Sequence, residues 1–123
     1  MKTILIIGLG SFIGGVFRYL LTMFMQNKVP GYFPYGTLMV NVIGCLLIGM
    51  VYGASSRHLM TMDWRLFLAT GVIGGFTTFS AFSYESVSLL RTGHFLNAAV
   101  YISLSVILGL LATFMGLYLI KAS

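Results

Sequence analysis

Four long apolar stretches determine what this chain can fold into. They lie at about residues 4–24, 35–55, 66–90 and 95–120. A helix of about 20 mostly apolar residues is long enough to cross the roughly 30 Å hydrocarbon core of a bilayer. The chain has 123 residues, of which 59% are hydrophobic and 7% charged, and a soluble domain of that size could not bury so much apolar surface. The sequence therefore predicts an all-α membrane protein, a single transmembrane domain over residues 1–123 with four transmembrane helices per subunit.

The residues outside these stretches exclude several functions. The connections are too short for a soluble catalytic domain, and no Ser, His and Asp can be assembled on one side of the membrane, so we expect no enzyme. Cys45 is the one cysteine, and it can form neither an internal disulfide nor, by itself, a zinc site. The formal charge is +5, but the basic residues are scattered singly and form no stripe, so we expect no nucleic-acid partner.

Basic residues are nearly balanced between the two ends of the predicted helices. With four spans, the termini and the second connection share one side, and the first and third connections share the other. The first side carries Lys2, Arg57, Arg65 and Lys121, and the other carries Lys28 and Arg91. Cytoplasmic loops normally hold an excess of Lys and Arg, and here the excess is weak. Two possibilities stay open: one fixed topology with cytoplasmic termini, or insertion in both orientations, which would permit an antiparallel dimer.

Small residues recur four positions apart within the apolar stretches. The series are Gly10 and Gly14, Ser11 and Gly15, Cys45 with Gly49 and Gly53, Gly71 and Gly75, and Ala112 and Gly116. Such spacing lets helix backbones approach closely in lipid, where little hydrophobic drive brings helices together. We interpret these positions as packing contacts rather than chemistry, and we expect a close-packed unit that forms an oligomer.

The third stretch carries the strongest functional signal, GGFTTFSAFSYE at residues 74–85. Adjacent glycines followed by threonines favour a helix break near Gly74–Thr78. A break at membrane depth frees carbonyl groups that protein, water or a cation must satisfy. Beyond the break, Phe79 and Phe82 share one face, and Ser80 and Ser83 form a second stripe. Ring edges carry partial positive charge and hydroxyls donate hydrogen bonds, so the segment suits a small hydrated anion. Packing against a neighbouring helix is the alternative interpretation.

Four further polar positions lie inside the predicted spans, where polar groups are costly and therefore functional candidates. Arg18 either reaches the membrane interface or places a fixed positive charge at an aqueous vestibule. Asn41 either bonds a neighbouring helix or faces a polar path. Glu85 lies late in the third span and could repel anions, accept a hydrogen bond or, if protonated, donate one. Tyr101 shares a face of the fourth helix with Ser105, which suits a buried contact or a pore wall.

Three motifs together resemble the Fluc/CrcB fluoride channels. They are Gly14-Gly15-x-x-Arg18-Tyr19, Gly-Thr-Leu-x-Val-Asn at 36–41, and the run from Gly74 to Ser83 in the third of four spans. The match covers the whole chain in length, number of spans and order of motifs. The resemblance implies an antiparallel, dual-topology homodimer with two pores, which exports fluoride passively from the cytoplasm. It also implies a multi-pass location in the lipid bilayer of a bacterial inner (plasma) membrane.

The resemblance also implies roles for individual residues. Phe79, Phe82 and Asn41 would line the pores, and Arg18 would stand near the vestibule. The backbone carbonyls of Gly74 and Thr77 would hold a structural sodium ion at the dimer interface. The polar track along the pore would consist of Ser80, Ser83, Thr78, Glu85 and Tyr101. The chain departs from the family pattern at Ala81, where a threonine is usual, so one hydroxyl of the track is missing.

Two other functions are compatible with four small spans. A proton-coupled multidrug transporter needs a carboxylate embedded in the membrane, and Glu85 is the one candidate. A non-conducting scaffold or assembly subunit would account equally well for the closely packed small residues.

Overall fold

The computed structural model describes residues 1–122, and the regular secondary structure among them is helical, with no strand. The helices are α1 (Lys2–Lys28), α2 (Tyr35–Ser56), α3 (Met62–Arg65), a π-helix (Leu66–Ile73), α4 (Gly74–Phe76), α5 (Phe79–Arg91) and α6 (Phe95–Ala122). Four helical units are long and apolar enough to cross a membrane, and the third of them, Met62–Arg91, is a composite of α3, the π-helix, α4 and α5. The predicted all-α class with four spans is confirmed.

Contacts at the helix ends show which connections lie together. Lys2 forms an ion pair with Asp63 at 3.1 Å, which joins the start of α1 to the second connection. Arg57 donates a hydrogen bond to the carbonyl oxygen of Ile120 at 2.7 Å, so the end of α6 lies there as well. At the opposite end the rings of Tyr32 and His94 stack with centroids 4.0 Å apart. The predicted sidedness is confirmed: both termini and the second connection share one end, which we call the terminal face.

The helices form two closely packed groups, α2 along α6 and α1 along the π-helix and α4. Glycines lie at both contacts. A Cβ atom added at Gly10 would lie 2.9 Å from the Cα atom of Gly71, and one added at Gly116 would clash with the backbone of Leu46. Two helix backbones can approach this closely only where the residues in contact have no side chain. The packing interpretation is therefore confirmed for Gly10, Gly14, Gly49, Gly71, Gly75 and Gly116, whereas Gly15 contacts no other helix in the chain.

Adjacent glycines on α1 provide a test of this packing. A Cβ at Gly14 would overlap the carbonyl oxygen of Val72, whereas a Cβ at Gly15 meets nothing within 4 Å. We expect Gly14→Ala to destabilise the protein by about 1–3 kcal/mol because the backbones must separate. Gly15→Ala is the matched control and should be neutral or stabilising by up to about 1 kcal/mol, since alanine favours helix. Thermal unfolding in detergent measures both, and equal stabilities would contradict the packing seen here.

Most of the outer surface is apolar. Large side chains such as Phe12, Leu96 and Phe114 are exposed along their helices. Aliphatic and aromatic groups spread over every span suit contact with lipid or with another membrane chain rather than with water. Two small clusters of buried residues fill the interior, one around Tyr101 and the other around Ile73. The interior around Tyr101 lies beside α5, where the polar groups of the third span are found.

Candidate functional site

The third span is interrupted at Thr77 and Thr78. Both residues are extended, with φ −88° and ψ 159° at Thr77 and φ −151° and ψ 122° at Thr78. The break predicted near Gly74–Thr78 is therefore present, although Gly74–Phe76 remain helical and only the two threonines leave the helix. The side chain and the N–H of Thr77 both donate to the carbonyl oxygen of Ile73, at 3.0 Å and 2.9 Å. The helix before the break thus ends with two hydrogen bonds from Thr77 to one carbonyl oxygen.

The side-chain amide of Asn41 on α2 supports the extended backbone. Its Nδ2 donates to the carbonyl oxygen of Thr78 at 3.1 Å, and its Oδ1 accepts from the N–H of Thr78 at 2.9 Å. Unpaired backbone groups are costly at membrane depth. One asparagine therefore supplies both bonds that a continuous helix would otherwise have provided at Thr78. Of the two alternatives for Asn41, the structure shows the bond to a neighbouring segment, and it places that bond at the break.

Helix α5 begins immediately after the break. The Thr78 hydroxyl oxygen accepts a hydrogen bond from the N–H of Ala81 at 3.1 Å and lies 3.2 Å from the Ser80 hydroxyl oxygen. This is the usual N-cap arrangement, in which a threonine satisfies one of the free N–H groups of the first turn. A helix N-terminus carries a partial positive charge from the aligned peptide dipoles. The break thus places this charge inside the predicted membrane region.

Arg18 also reaches the break. The side chain is half-buried, and its Nε donates to the carbonyl oxygen of Gly75 at 3.2 Å. The guanidinium group is therefore directed toward the third span instead of along α1 to the interface. Its positive charge lies near the N-terminus of α5, and both favour negative charge in this region. The sequence indicated Arg18 as a charged group but did not predict its partner.

A row of rings leads away from the break. The ring centroids of Phe79 and Phe82 are 5.6 Å apart, and those of Phe82 and Tyr101 are 5.3 Å apart. Phe79 is 78% exposed, whereas Tyr101 is fully buried. Both phenylalanines line a cleft of about 390 Å³. Asn41 of α2, Thr78 of the break and Ser105 of α6 also line it, so a mainly apolar cleft contains polar groups from three segments.

Two hydroxyl oxygens beside this row are buried without a partner. Within residues 1–122, neither the Tyr101 hydroxyl nor the Ser105 hydroxyl forms a hydrogen bond. A buried hydroxyl without a partner loses roughly 1–3 kcal/mol, so such groups in a native structure need an explanation. Both side chains lie on the same face of α6, as their spacing predicts. Ser105 lines the first cleft, so its hydroxyl offers a donor to a polar species that enters there.

Glu85 lies two turns beyond Phe79 on α5. Its Oε1 accepts a hydrogen bond from the Thr37 hydroxyl at 2.6 Å. Both residues line a second cleft, of about 370 Å³, whose other wall is the first connection. Of the roles considered for Glu85, the structure shows hydrogen-bond acceptance. Thr37 shares a face of α2 with Asn41, but nothing in the sequence identified it as the partner of Glu85.

The structure thus brings some of the predicted site residues together and separates others. Asn41, Thr78, Phe79 and Phe82 share the first cleft. Ser80 and Ser83 are exposed on α5. Arg18 contacts the break from α1, and Glu85 lies at the second cleft. The carbonyl oxygens of Gly74 and Thr77 accept no hydrogen bond from any residue that the structure describes.

The fold and the site define a class of small four-span membrane proteins in which a broken helix brings polar and aromatic groups together at membrane depth. The chain belongs to the CrcB family. The family model described as CrcB-like protein, Camphor Resistance (CrcB), matches residues 5–117, nearly the whole chain. The resemblance inferred from the three motifs is confirmed.

Curated relatives match over almost their full length. The fluoride-specific ion channel FluC of Flavobacterium psychrophilum is 48% identical over 122 residues, covering 98% of each chain. The protein of the same name from Leptospira interrogans is 45% identical over 98% of this chain and 95% of its own. That from Phocaeicola vulgatus is 45% identical over 97% of this chain and 98% of its own. Such similarity over every span extends well beyond the three motifs.

Proposed function

We propose that this protein is a fluoride-selective ion channel that lets fluoride leave the cytoplasm passively, and not an enzyme. The observation that carries the proposal is the break at Thr77–Thr78, bonded by Asn41 and followed directly by Phe79 and Phe82 on a cleft. The relatives that match over nearly their full length are fluoride-specific ion channels, and they support the same function. They give no support to a proton-coupled multidrug transporter.

The chemistry of the cleft suits a small anion that holds its water tightly. Such an ion crosses a membrane only where hydrogen-bond donors replace its hydration shell. The Asn41 Nδ2 carries two hydrogens and uses one for Thr78, so the second is free to donate. The hydroxyls of Ser80, Ser83 and Thr78 add donors along α5, and the edges of Phe79 and Phe82 add partial positive charge. Arg18 and the α5 N-terminus make the region attractive to anions.

We further propose that two oppositely inserted copies form the channel, a dual-topology homodimer with two pores in a bacterial inner membrane. In one chain the cleft is open along Phe79, which is 78% exposed. A path for a dehydrating ion needs a wall on every side, and a second copy would supply the missing one. The weak difference in basic charge between the two ends favours insertion in both orientations.

A structural sodium ion at the dimer interface completes the proposal. The residues fit such an ion, because the carbonyl oxygens of Gly74 and Thr77 have no hydrogen-bond partner among residues 1–122. Hard cations are bound by oxygen ligands of this kind. The ion would supply positive charge that stabilises the free carbonyl groups where the helix before the break ends. Asn41 and Arg18 would continue to hold the neighbouring carbonyls of Thr78 and Gly75.

Flux from liposomes tests the proposal. Vesicles containing the purified protein and loaded with potassium fluoride or potassium chloride are opened to potassium with valinomycin, and efflux is followed with ion-selective electrodes. We expect fast fluoride efflux with little chloride efflux, and slower efflux or dissociation of the dimer when sodium is replaced by N-methylglucamine. Equal flux of the two halides would refute selectivity, and sealed vesicles containing folded dimer would refute conduction. Unchanged flux and assembly without sodium would refute the sodium site alone.

A further inference from the structure

A small apolar groove lies at the terminal face, away from both clefts described above. Its volume is about 220 Å³, and it is lined by Ile6 of α1, by Trp64 of α3 and by Phe67 of the π-helix, with Asp63 at its edge. The rings of Trp64 and Phe67 meet edge to face with centroids 5.8 Å apart. The groove therefore has two aromatic walls and one aliphatic wall, which suits a hydrocarbon chain.

Its position places this groove where the membrane meets water. Trp64 is 57% exposed and lies at the start of the third span. Tryptophan is enriched at this level of the bilayer because its ring is apolar and its N–H is polar. Acyl chains of the surrounding lipid therefore have access to the groove from the side, and phosphate groups lie at the level of α3.

The charged residues around the groove determine which lipid headgroups it favours. The terminal face carries Lys2, Arg57, Arg65 and Lys121, against the carboxylate of Asp63. Of these cations, Lys2 lies directly at the groove, where its exposed ammonium group is paired with Asp63 at 3.1 Å. Arg65 follows Trp64 on α3, and one of its terminal nitrogens contacts the sulfur of Met62 at 2.7 Å. The remaining guanidinium nitrogens of Arg65 have no partner among residues 1–122. Lys2 is paired with the groove residue Asp63, and Arg65 directly follows the groove residue Trp64, so the two cations nearest the groove outnumber its one carboxylate.

We propose that this groove is a binding site for an anionic phospholipid, with an acyl chain between Ile6, Trp64 and Phe67 and the headgroup phosphate between Lys2 and Arg65. The apolar groove suits the acyl chain of such a lipid, and the excess of positive charge near the groove suits its headgroup. Basic pockets beside membrane helices bind anionic headgroups in this way. Asp63 opposes the headgroup, since it competes for Lys2. The site is independent of which ion the protein conducts.

The single tryptophan makes the proposal directly measurable, since Trp64 is the one tryptophan of the chain. The protein is reconstituted in phosphatidylcholine that contains increasing fractions of brominated lipid, and quenching of Trp64 fluorescence is recorded. Brominated phosphatidylglycerol is compared with brominated phosphatidylcholine. We expect the anionic lipid to quench at a lower mole fraction, by about fivefold for each cation that contacts it. High salt should reduce this preference.

Charge variants separate a site from general contact with lipid. Lys2→Gln and Arg65→Gln should each lower the preference for the anionic lipid by about fivefold, and Asp63→Asn should raise it. Lys28→Gln removes one charge at the opposite end and should leave the preference unchanged. Circular dichroism confirms that each variant is folded. Equal quenching by the two lipids, no quenching by either because a second copy covers the groove, or a preference insensitive to Lys2, Arg65 and Asp63 would each overturn the proposal.

Discussion

Replacement of Asn41 by alanine is expected to reduce fluoride flux by at least about tenfold. The substitution removes both hydrogen bonds to the backbone of Thr78, of 3.1 Å and 2.9 Å, and leaves its N–H and carbonyl unpaired at the break. Leaving buried polar groups unpaired costs roughly 1–3 kcal/mol each. The extended segment should then shift, and the first turn of α5 with it. A barrier increase of about 1.4 kcal/mol corresponds to a tenfold slower rate. The measurement is fluoride efflux from liposomes at equal protein density.

A matched control tests whether the effect of Asn41→Ala comes from the break or would follow the loss of any polar contact on α2. The Thr113 hydroxyl donates to the carbonyl oxygen of Cys45 on the same helix at 3.2 Å, one turn beyond Asn41. Thr113→Val removes that bond, together with the bond from the same hydroxyl to the carbonyl oxygen of Gly109 at 3.1 Å, and keeps the side-chain shape. Flux should change by less than about twofold, in keeping with the small average value of such bonds in membranes. If Asn41→Ala conducts as well as Thr113→Val, the bonds at Thr78 do not support the pathway.

Much of this fold follows from the sequence because the bilayer restricts a chain so strongly. A lipid-exposed backbone must satisfy its own hydrogen bonds, so each long apolar stretch has to be a helix. The break is also predictable from local chemistry, since Gly74 and Gly75 weaken the helix and Thr77 and Thr78 offer alternative bonds. The local signal located the break only approximately. The glycines themselves stay helical, and the hydroxyl of Thr78 sets the start of α5.

Contacts between distant segments could not be predicted in the same way. The bond from Arg18 to Gly75 joins residues 57 apart and depends on how closely α1 approaches α4. That approach in turn depends on Gly14 facing Val72, which fixes the relative height of two helices. The π-helix Leu66–Ile73 has no distinct pattern of its own, because its residues are as apolar as those of an ordinary span. Spacing along one helix shows which side chains share a face, but it does not show which faces of different helices pack against each other.

Phe79 has the most exposed ring of the candidate pathway, so a substitution there best distinguishes an effect on conduction from an effect on folding. Phe79 is 78% exposed in the chain and touches the ring of Phe82, so it contributes little to the interior. If its ring edge helps to stabilise a passing anion, an aliphatic side chain of similar bulk should fill the space without the partial positive charge. Isoleucine provides such a side chain. The protein should therefore remain folded and lose conduction.

We expect Phe79→Ile to lower fluoride flux by about tenfold, a barrier change of roughly 1.4 kcal/mol, with an unfolding temperature close to that of the parent. Phe82→Ile should lower flux similarly and also reduce stability, because Phe82 packs against the buried ring of Tyr101 at 5.3 Å. Phe114 on α6 is the matched control, since it is 70% exposed and lines neither cleft. Phe114→Ile should conduct like the parent. Parallel losses in Phe79→Ile and Phe114→Ile would mean that exposed rings act through packing, and the aromatic edge would have no special part in permeation.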